Sequence, residues 1–309
     1  MAILCRLHTA FGDRYIQAIR EALPGEDIRE WPDVGNPEDI EIACIFRSPP
    51  GFLTPFKNLK LISSTGAGVD TLVLDPEFPR HIPLVRVVDE DFGNRMAEYA
   101  ATWVMFHHRD LPHFLAAQKE SRWAYKTMRS AREVKVGVMG LGQMGAAAAQ
   151  LLSRIGYDAA GWSRSAKSIE GVTCFSGADG LDAFLARSEI VVNLLPLTDE
   201  TRGILNAGLF AKMPKGGVVI SAGRGAHLVE EDLLAALASG QLRGATLDVF
   251  TKEPLPQDHP FWTTPGLFVT PHASSTASLE TSVNAFAENV RRYRAGEPLL
   301  NVVDLSRGY

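Results

Sequence analysis

The chain reads as an α/β protein built on doubly wound parallel sheets, with the middle of the sequence forming one domain and both ends forming another. Two alternating series of short apolar runs and amphipathic stretches point to it, one before and one after about residue 130, and a glycine-rich turn opens the second series. Apolar runs at 3–7, 28–31, 42–46, 59–63 and 84–88, separated by helix-like stretches such as 11–23, form the first series. Such alternation implies βαβ units and a parallel sheet. A long helical pattern from about 91 to 120 follows, and Pro112 is expected to kink or end it. The second series has runs at 136–139, 158–162, 190–194, 218–221, 245–249 and 267–270, and a last helix is expected over about 277–294.

Composition sets bounds. The chain has 309 residues, enough for two cores, and its 46% hydrophobic and 22% charged content is ordinary for a soluble globular protein. A net charge of −5 argues against a nucleic-acid or anionic-membrane surface. Cys5, Cys44 and Cys174 are widely spaced and form no CxxC, so neither a disulfide framework nor a zinc site is expected and a reducing, cytoplasmic setting is the default. Arg6 and His8 interrupt the apolar start before a signal-peptide core develops, and no run approaches the roughly 18 apolar residues of a membrane span.

The run 135–139 feeds directly into Gly140-Leu-Gly142-Gln143-Met144-Gly145 and an Ala-rich stretch, 146–152. Strand, tight turn and helix in that order form a dinucleotide-binding fingerprint. The glycines allow a sharp turn, approach of a pyrophosphate to the main chain, and close packing of helix on sheet. The helix N-terminus offers its unpaired N–H groups to the phosphates. About 20 residues further on, an acidic residue would hold a ribose 2′-hydroxyl. Here Ser163, Arg164, Ser165 and Lys167 stand instead. A guanidinium beside hydroxyls and an ammonium suits a 2′-phosphate, so NADP(H) is favoured with NAD(H) as the lesser option. Two solvated loop cations are the alternative reading.

Ligands of open parallel sheets bind beyond the carboxyl ends of strands. Arg224 follows the run 218–221, Glu253 follows 245–249, and His272 follows 267–270. Reduction of a ketone by hydride builds alkoxide charge, which needs a proton donor, and histidine is suited to that role. A carboxylate on the far ring nitrogen, for which Glu253 is the candidate, fixes the tautomer and favours the imidazolium. An arginine fork can hold the carboxylate of a 2-oxoacid and polarise its carbonyl. Taken singly, each residue also reads as a cap, a loop carboxylate or a surface cation; their joint placement favours chemistry. The doublet His107-His108 on the long helix lacks such placement and reads as structural.

At these residues the sequence resembles the D-2-hydroxyacid dehydrogenases over essentially its whole length, and within them the glyoxylate/hydroxypyruvate reductase A branch. The likeness lies in Thr65-Gly-Ala-Gly-Val-Asp70, Met96-Ala-Glu98, the turn 140–145, Asn193-Leu-Leu-Pro196 with Thr198 and Thr201, Ala222-Gly-Arg-Gly225, Leu247-Asp-Val-Phe250 with Glu253-Pro254, and Thr270-Pro-His272; Trp162-Ser-Arg164 and the ending Arg307-Gly-Tyr309 carry the narrower match. The resemblance implies two Rossmann-like domains: a smaller, flavodoxin-like substrate domain at 1–97 and 279–309 and a dinucleotide-binding domain at 98–278. It implies catalytic roles for Arg224, Glu253 and His272, and backbone binding of the substrate carboxylate at Ala67 and Gly68. Coenzyme contacts are implied at Leu195, Pro196, Thr201, Ala222, Gly223 and Asp248, the last to the nicotinamide carboxamide. Ser221 stands where the family often has Asn, and Gly223 where it usually has Ala. The expected activity is NADPH-dependent reduction of glyoxylate, hydroxypyruvate or a similar small 2-oxoacid by a homodimer. A dinucleotide-sensing, co-repressor-like binding protein and a dehydrogenase that oxidises a 2-hydroxyacid with NAD⁺ are the alternatives.

Overall fold

The structure, a computed structural model, describes residues 1–7, 12–46, 48–66, 68–89 and 91–305. It divides into two compact units, Met1–Glu90 with Thr276–Tyr309, and Asp91–Ser275.

Unit 1 begins with β1 (Ala2–Arg6), α1 (Gly12–Ala22), β2 (Asp27–Glu30), β3 (Ile40–Ile45), β4 (Leu61–Ser64), α2 (Asp70–Val73) and β5 (Leu84–Arg86). The strands form one parallel sheet in the order β2-β1-β3-β4-β5, the flavodoxin-like order. Side chains alternate across it with period 2. Ile3 and Cys5 enter the apolar layer with Ile16 and Ile19 of α1, whereas Ala2 and Leu4 enter the opposite layer with Phe56 and Ile62.

Unit 2 holds α3 (Phe92–His108), α4 (Leu111–Lys119), β6 (Lys135–Met139), α5 (Gln143–Ile155), β7 (Asp158–Ser163), β8 (Thr173–Ser176), α6 (Gly177–Arg187) and β9 (Ile190–Asn193), then α7 (Ala207–Lys212), β10 (Gly217–Ser221), α8 (Glu230–Ala238), β11 (Leu242–Leu247) and β12 (Leu267–Val269). Its parallel sheet runs β12-β11-β10-β9-β6-β7-β8, reversing direction at β6 in the dinucleotide-fold manner. The strand register Trp162↔Met139↔Asn193↔Ser221↔Leu247↔Val269 aligns six strand ends along one edge. The chain closes in unit 1 with α9 (Leu279–Ala295), capped by Ser278 and ended by Gly296 in the left-handed region; Phe286 and Val290 of this helix pack in the Ile16 layer.

Three sequence expectations change. The long helix is not one kinked rod: Asp110 adopts a left-handed backbone between α3 and α4, and Pro112 sits in the first turn of α4, where its missing N–H has no intrahelical acceptor to lose. Unit 2 also has a seventh strand, β8, an edge strand without a buried residue that could mark it as an apolar run. The 97/98 domain boundary falls inside the continuous helix α3, and the crossing lies at 90/91 instead.

Candidate active site

Along the aligned edge of unit 2, each strand delivers a turn. After β6, Gly142 caps α5 without a side-chain bond, leaving the first N–H groups of the helix outward. A Cβ on Gly142 would meet nothing within 4 Å, whereas one on Gly145 would lie 1.7 Å from the carbonyl oxygen of Gly140. Gly145 thus serves the packing of α5 on the turn, and Gly142 leaves an open cradle in front of the helix. Gln143 is exposed and Met144 half-buried beside it. After β7, the Ser163 hydroxyl donates to the Ser165 carbonyl at 2.8 Å and ties the turn, from which Arg164, Ser165 and Lys167 are exposed. An open helix N-terminus and two exposed cations on neighbouring strand ends fit a dinucleotide bearing an extra phosphate.

After β9, Leu195 is buried and Pro196 exposed; the Thr201 hydroxyl donates to the Pro196 carbonyl at 2.7 Å and accepts from the Thr198 N–H at 2.8 Å, closing the loop. After β10, Ala222 and Gly223 are buried and lead into Arg224, whose Nη1 donates to the Gly223 carbonyl at 2.8 Å. Gly225 lets this turn press backbone to backbone on the next: a Cβ there would lie 2.0 Å from the Phe250 carbonyl carbon.

His272 and Glu253 meet. Nδ1 of His272 lies 2.9 Å from Oε2 of Glu253, and Oε1 of Glu253 accepts from the Phe250 N–H at 2.9 Å. The Glu253 side chain is 15% exposed and that of His272 33%, so the carboxylate is withdrawn behind a ring that solvent still reaches. With Nδ1 engaged by Glu253, a proton that the ring exchanges with a ligand passes through Nε2. His272 has φ +54°, a conformation a histidine rarely adopts. Asp248 holds it there: its main-chain carbonyl accepts from the His272 N–H at 2.8 Å. Its carboxylate accepts from the Thr270 hydroxyl at 2.6 Å, the Ala273 N–H at 2.8 Å and the Ser274 N–H at 3.0 Å. The Tyr99 hydroxyl, 2.8 Å from Thr270 Oγ1, completes the chain, and burial raises the phenol above its ordinary range. Asp248 is fully buried and presents no surface to a carboxamide in this conformation; what it visibly does is fix the segment bearing His272.

Of the substrate-turn residues, Ala67 lies outside the described residues; Gly68 is exposed after β4, where Ser64 Oγ accepts from the Gly66 N–H at 3.2 Å. The ending at 306–309 also lies outside them. His107 is a core residue: Nε2 meets Thr246 Oγ1 at 2.8 Å, and burial, helped by Arg243, pushes the ring down to about 3. His108 bridges Tyr157 and the Arg129 carbonyl. Sequence reasoning passed over Tyr99 and His227, since neither follows a strand end.

The family described as D-isomer specific 2-hydroxyacid dehydrogenase, NAD binding domain, matches residues 101–274. The chain belongs to the D-isomer specific 2-hydroxyacid dehydrogenases. A relative in this family, glyoxylate/hydroxypyruvate reductase A of Photorhabdus laumondii, is 38% identical over 301 residues, 96% of each chain. Among solved structures, a D-isomer specific 2-hydroxyacid dehydrogenase of Xanthobacter autotrophicus in complex with NADPH and MES is 45% identical, with a TM-score of 0.86 over 100% of this chain and 99% of that one. An NADPH-dependent glyoxylate/hydroxypyruvate reductase of Sinorhizobium meliloti in complex with NADP and sulfate is 38% identical, with a TM-score of 0.88 over 100% and 99%. As a 2-hydroxyacid dehydrogenase, the chain carries Arg224, Glu253 and His272 on three adjacent strand ends of the family's dinucleotide-binding unit.

Proposed function

We propose that this 2-hydroxyacid dehydrogenase reduces small 2-oxoacids, glyoxylate and hydroxypyruvate among them, with NADPH. The observation that carries the reading is the His272–Glu253 pair, held on a left-handed backbone beside the Arg224 turn. The bound coenzyme supplies the hydride that reaches the carbonyl carbon. His272 donates the proton from Nε2 to the oxygen of that carbonyl, while Glu253 on Nδ1 keeps the ring oriented. Arg224 binds the substrate carboxylate and draws charge toward the adjacent carbonyl oxygen. The exposed Gly68 backbone is assigned to the substrate carboxylate as well, making unit 1 the substrate domain and unit 2 the coenzyme domain.

NADP(H) is assigned over NAD(H) because the end of β7 offers Arg164 and Lys167 in place of a carboxylate. Relatives of known structure were solved with NADPH or NADP, in keeping with this choice. A homodimer through unit 2 belongs to the same proposal: Trp123 is 96% and Tyr125 85% exposed, and Leu111 and Leu115 of α4 are exposed nearby in sequence, an apolar display that a soluble chain normally covers. A cytoplasmic setting is proposed with it, in keeping with three free cysteines.

Initial rates of NADPH and NADH oxidation across a panel of 2-oxoacids test the reading. Turnover of glyoxylate or hydroxypyruvate, faster with NADPH at subsaturating coenzyme, is expected. Coenzyme binding without any turnover would point to a sensor, and a preference for NADH would overturn the coenzyme assignment.

A further inference from the structure

Beneath the Arg224 turn lies a second histidine. His227 is fully buried at the end of the short turn Gly225–His227. The groups around its ring fix which nitrogen bears the proton. Nδ1 faces two donors, the Arg224 N–H at 3.2 Å and the Asn193 side-chain amide at 3.0 Å. A nitrogen facing two donors must be the bare one. Nε2 faces the Pro196 carbonyl at 3.2 Å, which can only accept. The Asn193 amide cannot be reversed to escape this: its Oδ1 accepts from the Leu195 N–H at 3.3 Å, and reversal would set two donors against each other.

We infer that His227, neutral with its proton on Nε2, is a positioning residue that ties the Arg224 turn to the 193–196 loop, so that substrate-side and coenzyme-side elements are set by one ring. The inference rests on the proposed roles of Arg224 and of Leu195 and Pro196. Gly223 packs against the same ring. A Cβ there would lie 3.0 Å from Nδ1 and from Cε1 of His227, and 2.9 Å from the Leu195 carbonyl oxygen. A methyl at 223 would press on the ring and on the 193–196 loop at once.

The two ends of the ring can be separated by substitution. In His227→Asn the side-chain oxygen replaces Nδ1, keeping the acceptor for Arg224 and losing the bond to Pro196. In His227→Gln the amide nitrogen replaces Nε2, keeping Pro196 and losing the acceptor. A buried hydrogen bond lost on one side corresponds to about a tenfold effect. Fluorescence titration of NADPH and steady-state kinetics with glyoxylate are the readouts. His227→Asn should raise the NADPH Kd about tenfold with the glyoxylate KM nearly unchanged, and His227→Gln should do the reverse. A purely structural role would shift both constants together in both variants, and that result, or no shift in either, overturns the inference. Should a variant fail to fold, nitrogen NMR of the histidine-labelled wild type decides: a proton on Nε2 alone supports the inference, and a proton on Nδ1 overturns it. If the wild type binds NADPH but turns over no 2-oxoacid, the functional reading fails while the tautomer measurement still stands.

Discussion

The strained backbone of His272 is affordable because Asp248 spends four acceptor bonds on the segment around it, one from its carbonyl and three at its carboxylate. Strain of this kind persists only where surrounding bonds over-determine it, and here it orients the ring toward Glu253. His107 shows the opposite use of the same residue type. Its folded-state pKa near 3 lies far below the ordinary 6.5, so the neutral ring adds stability that is complete above about pH 6.5 and drains away as pH falls toward 3. Between pH 7.5 and 5.5 the wild type should lose about 1 kcal/mol more unfolding free energy than His107→Gln, measured by urea melts at each pH. Equal losses would show that His107 is not held neutral.

At the scale of elements, the glycine-rich turn separates packing from binding. Gly145→Ala drives a methyl against the Gly140 carbonyl and should lower the melting temperature, by several degrees at least. Gly142→Ala adds its methyl to open space, so melting should hold while NADPH affinity falls tenfold or more. Thermal melts with coenzyme titrations of both variants check this, and a Gly142→Ala protein with unchanged affinity would remove the turn from the binding site. The sequence made these elements legible where burial is two-sided: β6, β9 and β10 read as apolar runs because helices cover both faces. It hid β8, whose edge position leaves no buried residue, and the α3–α4 break, which turns on the left-handed backbone of Asp110. Arg224, Glu253 and His272 were legible because strand ends are where such sheets bind ligands. The bonds that Asp248 and His227 make were not legible, because they depend on which main-chain groups surround the two residues in three dimensions.

For the whole molecule, one alternating pattern encodes two parallel sheets of different strand order, and residues from both chain ends build unit 1. The exposed Trp123 and Tyr125 bear on assembly: light scattering should give twice the chain mass, and Trp123→Glu with Tyr125→Glu should shift it toward one chain. A wild type of single-chain mass would contradict the proposed dimer. The central claim, that His272 delivers the proton and is not needed to hold the coenzyme, is tested most directly by comparing wild type and His272→Ala in NADPH-dependent glyoxylate reduction and NADPH titration side by side. The expected result is a fall in kcat of about a hundredfold to ten-thousandfold with the NADPH Kd within about twofold of wild type; turnover by His272→Ala at the wild-type rate would contradict the claim.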